Sequence, residues 1–86
     1  MSDKYSAIIV ERILSLCRQR GITVYRLGKM SGLSSSTLDN LVNHKTFNPK
    51  IKTLQRIATA FSMTVAELLD FDELNSYSLD DDGEDD

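Results

Sequence analysis

One cysteine, one histidine and a run of three serines are the residues of this 86-residue chain whose types suit nucleophilic or metal chemistry. Nucleophilic catalysis needs a base within hydrogen-bond reach of the nucleophile and a third group to orient that base. Ser34-Ser35-Ser36 has no partner base at a recognisable spacing, and the preference of serine for helix starts accounts for the run. Cys17 falls on an apolar helical stripe and reads as core filler, and Met30 and Met63 likewise read as packing. His44 lies where no helical period is present and reads as a neutral loop residue. A structural zinc site takes four ligands, and one cysteine and one histidine far apart in the chain do not supply them. The residues therefore imply no catalytic site, metal, cofactor or small-molecule ligand.

Charge is more informative than nucleophiles. Net charge is −3, yet all ten basic residues lie between Lys4 and Arg56. Residues 1–69 hold only four acidic residues, a balance of +6, whereas residues 70–86 hold nine and no base. A basic body suits a polyanionic partner, and an acidic end suits a solvated or competing segment. No stretch of about 18 apolar residues is present to span a bilayer, and Met1-Ser2-Asp3-Lys4-Tyr5 is polar where a secretory signal would be apolar. A lone cysteine forms no internal disulfide, which suits a reducing compartment, so a cytoplasmic protein is expected.

The elements that would carry this charge are helical throughout. Ile9, Ile13, Leu16 and Cys17 form one stripe over residues 5–20, with Glu11, Arg12, Arg18 and Gln19 facing elsewhere, and Gly21 ends that helix. Thr23 is placed to cap a second helix over 24–31, with Leu27 and Met30 turned inward, and Gly32 to stop it. Ser34 caps a third helix over 35–43 that turns Leu38, Leu41 and Val42 to the core. Residues 43–49 read as a loop, and Pro49 suits the first turn of a fourth helix over about 50–61, for which only Asn48 offers a cap. Its apolar positions are Ile51, Leu54, Ile57, Ala58 and Phe61. Thr64-Val65-Ala66-Glu67 is a capping box, with Met63 and Leu68 as its hydrophobic staple, and opens a fifth helix running to Leu69 or Phe71. No apolar alternation suggests a strand. One domain over 1–71 and an acidic tail over 72–86 follow, the tail disordered because it is too poor in apolar residues to offset its ordering entropy.

Helices two and three, joined by Ser31-Gly32-Leu33-Ser34, have the outline of a helix-turn-helix. Gly28 and Ser31 are small where the helices must touch, Gly32 supplies the positive φ of the turn, and Leu27, Leu33, Leu38 and Leu41 are apolar inward positions. Residues 11–70 resemble the phage repressor and Cro family of helix-turn-helix domains, the XRE type. The matching text runs Arg20-Gly21-Ile22-Thr23, Leu27-Gly28, Ser31-Gly32-Leu33-Ser34, Ser36-Thr37-Leu38, Leu41, Asn43 and Asn48-Pro49. It continues with Thr53-Leu54, Ile57-Ala58, Ala60-Phe61 and Val65-Ala66-Glu67-Leu68-Leu69.

That resemblance implies an all-α, five-helix, lambda-repressor-like domain that sets helix three in the major groove of double-stranded DNA as a homodimer. By the family's pattern, base contacts fall to Ser35, Ser36, Asp39 and Asn40. Asn40 can pair bidentately with adenine, and Asp39 can accept from the cytosine N4 amine. Phosphate contacts fall to Thr23, Tyr25, Arg26, Asn43, His44, Lys45, Thr46 and Lys50, with Lys29 a further candidate and Asn43 also suited to a left-handed helix C-cap. The family often opens helix two with glutamine, where this chain has Val24 and then Tyr25, and helix three carries no arginine, lysine or glutamine on its reading face.

The implied function is a sequence-specific regulator of transcription, a repressor that occupies its operator. The alternative is a protein-interaction module or antitoxin-like protein that reuses the fold, with the acidic tail binding a partner or masking the basic face. If residues 72–86 compete for that face, removing them should tighten DNA binding at low salt. Phe47, Phe71 and Tyr77 are the candidates for self-contact.

Overall fold

The computed structural model describes residues 4–43 and 49–77. They form six helices, α1 (Lys4–Arg20), α2 (Val24–Ser31), α3 (Ser35–Val42), α4 (Ile51–Ala60), α5 (Val65–Leu69) and α6 (Asp72–Asn75), with no strand among them. The apolar stripe of α1, joined by Val10, is buried against Leu27, Leu38, Leu41, Leu54, Ile57, Ala58, Phe61 and Leu68 from the next four helices. Helix α4 packs against α2 and α5, α1 against α2 and α6, and α2 against α3.

Local signals set the boundaries. Gly21 has φ 65°, and the Gly21 and Ile22 amides donate to the Arg18 and Cys17 carbonyls at 3.2 and 3.0 Å, the Schellman closure of α1. The same closure ends α4 on a non-glycine residue. Ser62 has φ 60°, and the Ser62 and Met63 amides donate to the Thr59 and Ala58 carbonyls at 2.9 and 2.8 Å. The capping box of α5 is complete, with the Glu67 amide donating to Thr64 Oγ1 at 3.0 Å and the Thr64 amide to Glu67 Oε1 at 2.9 Å.

Several expectations are corrected. Met30 is 46% exposed, because only Leu27 and Ser31 of the eight-residue α2 are buried. Ile51 is 66% exposed, since it opens α4 beyond the buried stripe that begins at Leu54. Pro49 precedes α4 instead of sitting in its first turn; Lys50 holds the N-cap position with no side-chain hydrogen bond, and Asn48 lies outside the described residues. Helix α3 ends at Val42, and its C-cap Asn43 has φ −94°, so that cap is not left-handed.

The largest correction concerns the acidic end. Five helices were expected to finish by Phe71, but Asp72–Asn75 form α6, which packs on α1. Leu74 lies against the core, and the Tyr77 and Tyr5 rings meet with centroids 5.7 Å apart. Two acids in the first turn of α6, Asp72 and Glu73, suit the positive end of its dipole. Residues 78–86, the greater part of the expected tail, lie outside the described residues.

Candidate nucleic-acid interface

The helix-turn-helix is assembled from short-range bonds that leave its outer face open. Thr23 Oγ1 accepts from the Arg26 amide at 3.0 Å and so starts α2. At its end, the Gly32 amide donates to the Gly28 carbonyl at 3.1 Å, with Gly32 in the left-handed conformation at φ 74°. The buried Ser31 hydroxyl donates to that same carbonyl at 3.2 Å. Ser34 Oγ accepts from the Thr37 amide at 3.1 Å and donates to Thr37 Oγ1 at 2.9 Å, which fixes the first turn of α3. The glycine at 28 keeps the two helices close, as a Cβ there would lie 3.1 Å from Leu38 Cδ2.

With Leu38 and Leu41 buried, the opposite side of α3 presents Ser35, Ser36, Asp39 and Asn40, all exposed. Hydroxyl, carboxylate and amide on one face can each meet a base edge, the carboxylate as an acceptor only. Of the residues expected at phosphates, Thr23, Tyr25, Arg26 and Lys50 are exposed and Asn43 stands at the end of α3. His44, Lys45, Thr46 and the self-contact candidate Phe47 lie outside the described residues. Tyr25 is 74% exposed, and Lys29 Nζ rests 5.3 Å from its ring centroid, so the two side chains form one amphipathic unit.

Two features escape the sequence reading. Lys52 and Arg56, one turn apart on α4, line a cleft with Met30, Ser31, Gln55 and Thr59 beside the turn. A Cβ on Gly32 would come within 3.3 Å of the Arg56 guanidinium, which places that charge against the turn. The i, i+4 spacing of two bases was a visible signal. Conversely, two arginines counted in the basic body serve the fold. Arg12 donates from Nε to the Leu68 carbonyl and from a terminal nitrogen to the Glu67 carbonyl, both at 2.9 Å, and lies 5.1 Å from the Phe71 ring centroid. It was expected to face away from the fold. Arg20 donates to the Phe61 carbonyl at 2.7 Å and stacks 5.5 Å from that ring's centroid. Arg18 stands 3.7 Å from Glu11, with both side chains largely in solvent.

The remaining chemistry-bearing residue is Cys17, buried and unpaired with another cysteine. Burial pushes its thiol pKa up, and neighbouring Arg18 offsets this in part, so the thiol is a poor nucleophile at neutral pH. No group of three or more His, Cys, Asp or Glu that could hold a metal occurs among the described residues. None of the described helices is long and apolar enough to cross a membrane.

A turn built in this way between two short helices, inside an all-helical bundle, is the architecture of a helix-turn-helix DNA-binding domain. The chain belongs to the Cro/C1-type HTH DNA-binding domain family, which it matches over residues 12–73. It is therefore a DNA-binding regulator. The crystal structure of the prophage Lp1 protein 11 has the same fold, with a TM-score of 0.77 over 90% of this chain and 100% of that one at 22% identity. No curated protein matches the chain.

Proposed function

We propose that this protein is a sequence-specific repressor of transcription that sets α3 in the major groove of double-stranded DNA. The observation that carries the reading is the exposed row Ser35, Ser36, Asp39 and Asn40 on α3, directly after a glycine turn that holds α3 against α2. Asn40 is the principal base reader, through a bidentate pair with adenine, and Asp39 accepts from a cytosine amine. Thr23, Tyr25, Arg26, Asn43 and Lys50, all exposed, are assigned to phosphates, which fix the register of the protein on the duplex. His44, Lys45 and Thr46 are assigned the same role from the sequence.

The protein acts in the cytoplasm as a homodimer, because one domain of this size reads too few base pairs for useful specificity. Phe71 and Tyr77 are engaged within the chain, by Arg12 and Tyr5. That leaves Phe47, together with the exposed Ile51, as the candidates for self-contact.

Selection of a random duplex library by the full-length protein tests the reading. Recovery of a palindrome with half-sites about one helical turn apart is the expected result. A second reading, an antitoxin-like or protein-interaction module, is favoured by one observation: α3 carries no base and Asp39 is its only charge. Failure to enrich any duplex at low salt, both by the full-length protein and by a form lacking residues 78–86, would overturn the first reading and favour the second. The masking role of the acidic end is tested by removing residues 78–86, not 72–86, because the longer cut removes α6 from its seat on α1.

A further inference from the structure

Lys52 and Arg56 on α4 meet Met30, Ser31, Gln55 and Thr59 in a cleft of about 340 Å³ beside the turn between α2 and α3. Both bases are exposed and form no ion pair among the described residues. Two other clefts differ in charge. The groove between α2 and α3, which Val24 borders, sets Lys29 beside Asp39, and the cleft between α1 and α6 sets Arg12 and Arg18 beside Glu11 and Glu73. Of these three, the α4 cleft alone has bases and no acid in its wall, and the Gln55 amide and Thr59 hydroxyl add neutral donors. Its chemistry suits an anion that several donors can share, a carboxylate or a phosphate.

The chain carries an occupant of that kind. Residues 78–86 include Asp80, Asp81, Asp82, Glu84, Asp85 and Asp86, and no base. They follow Tyr77, whose ring is seated on Tyr5 at the start of α1. The other end of α1 lies by α4, since Arg20 donates to the carbonyl of Phe61, the α4 C-cap. Tyr5 and Arg20 are about 23 Å apart along the helix. Residues 84–86 can extend about 24–30 Å from Tyr77, which brings their carboxylates within range of α4. So short a tether gives an effective concentration on the order of millimolar, which offsets the weakness of single exposed ion pairs. We infer that the α4 cleft takes the acidic segment 84–86 of the same chain, its carboxylates on Lys52 and Arg56. This deepens the masking role of the acidic end, because the basic surface covered is α4 and not the α3 row, where Asp39 repels it. Filling the cleft neutralises two charges that would hold any nucleic acid regardless of sequence, and leaves binding to depend on α3.

A nitroxide spin label on Gly83→Cys in the full-length protein tests the contact by NMR, since Cys17 is buried and escapes the label. At low salt the amides of Gln55 and Arg56 should lose most of their intensity. Salt at about 1 M, which screens charges beyond roughly 3 Å, should restore it. Lys52→Gln/Arg56→Gln, at exposed positions, should abolish the loss. Neutralising the other partner with Glu84→Gln/Asp85→Asn/Asp86→Asn should do the same. No loss at α4, an undiminished loss in either variant, or loss confined to the α2 and α3 face would overturn the inference. Equal loss in isotope-labelled protein without the spin label, mixed with spin-labelled protein, would also overturn it and assign the cleft to a second copy's acidic segment. No DNA is present, so these outcomes leave the repressor reading to the duplex selection, and failure of that selection leaves the contact standing.

Discussion

The two sides of this small bundle treat the same residue type in opposite ways. Along α1, Arg12 and Arg20 are spent on backbone carbonyls of α5 and of the α4 C-cap and on the rings of Phe71 and Phe61. On the side of α2, α3 and the start of α4, Arg26, Lys50, Lys52 and Arg56 are exposed and form no ion pair among the described residues. A count of positive charge therefore overstates the basic surface offered to DNA. The difference arises because a carbonyl at a helix end needs a donor when water is excluded, and a guanidinium supplies several in a fixed fork.

The contrast is broken most severely at Arg12. Arg12→Ala removes two charge-assisted hydrogen bonds and a ring contact, and should cost about 2 kcal/mol in urea unfolding. Arg12→Lys should recover only part of that, because an ammonium lacks the fork. On the other side, Asn40→Ala should leave stability within about 0.5 kcal/mol. It should nevertheless lose roughly 1–3 kcal/mol of discrimination at one base position, seen when wild type and variant are selected on the same library.

A matched pair of caps sharpens the comparison. Ser34→Ala and Thr64→Ala should each cost about 1 kcal/mol in thermal or urea unfolding. Only Ser34→Ala should also weaken DNA binding, because it loosens the first turn of α3, so equal binding by the two variants would deny the functional asymmetry. Arg26→Ala should bind all sequences more weakly and lower the slope of log affinity against log salt by about 0.9. No change in that slope would remove Arg26 from the phosphate contacts.

The smallest effect concerns Cys17. Its thiol pKa is raised by burial, so above roughly pH 8.5 the unfolded chain loses this proton while the folded chain keeps it. Stability should then fall with rising pH, and more steeply in the wild type than in Cys17→Ala, as followed by urea unfolding between neutral and alkaline pH.

Much of this molecule is legible in the sequence because its punctuation is local. The caps Thr23, Ser34 and Thr64 and the stops Gly21 and Gly32 act over three to five residues, and the structure uses each of them as expected. The stop at Ser62 was not legible, since a non-glycine residue at positive φ gives no compositional sign. The reading face of α3 follows from the same local logic, because burying Leu38 and Leu41 turns Ser35, Ser36, Asp39 and Asn40 outward.

Helix α6 shows the limit of composition. Residues 72–86 read as one acidic tail, yet Leu74 and Tyr77 find seats on the body that a charge count does not register. Met30 and Ile51 fail for a related reason: periodicity gives the face of a helix but not how far the neighbouring helices extend to cover it. The family, the order of the first five helices and the turn are legible in the sequence, since they depend on residues close together in the chain. Tertiary structure alone decided which arginines are structural, because Arg12 meets carbonyls 55 and 56 residues away. It also decided that Val24 borders a groove shared with Asp39, because only the packing of α2 on α3 brings those side chains to one cleft.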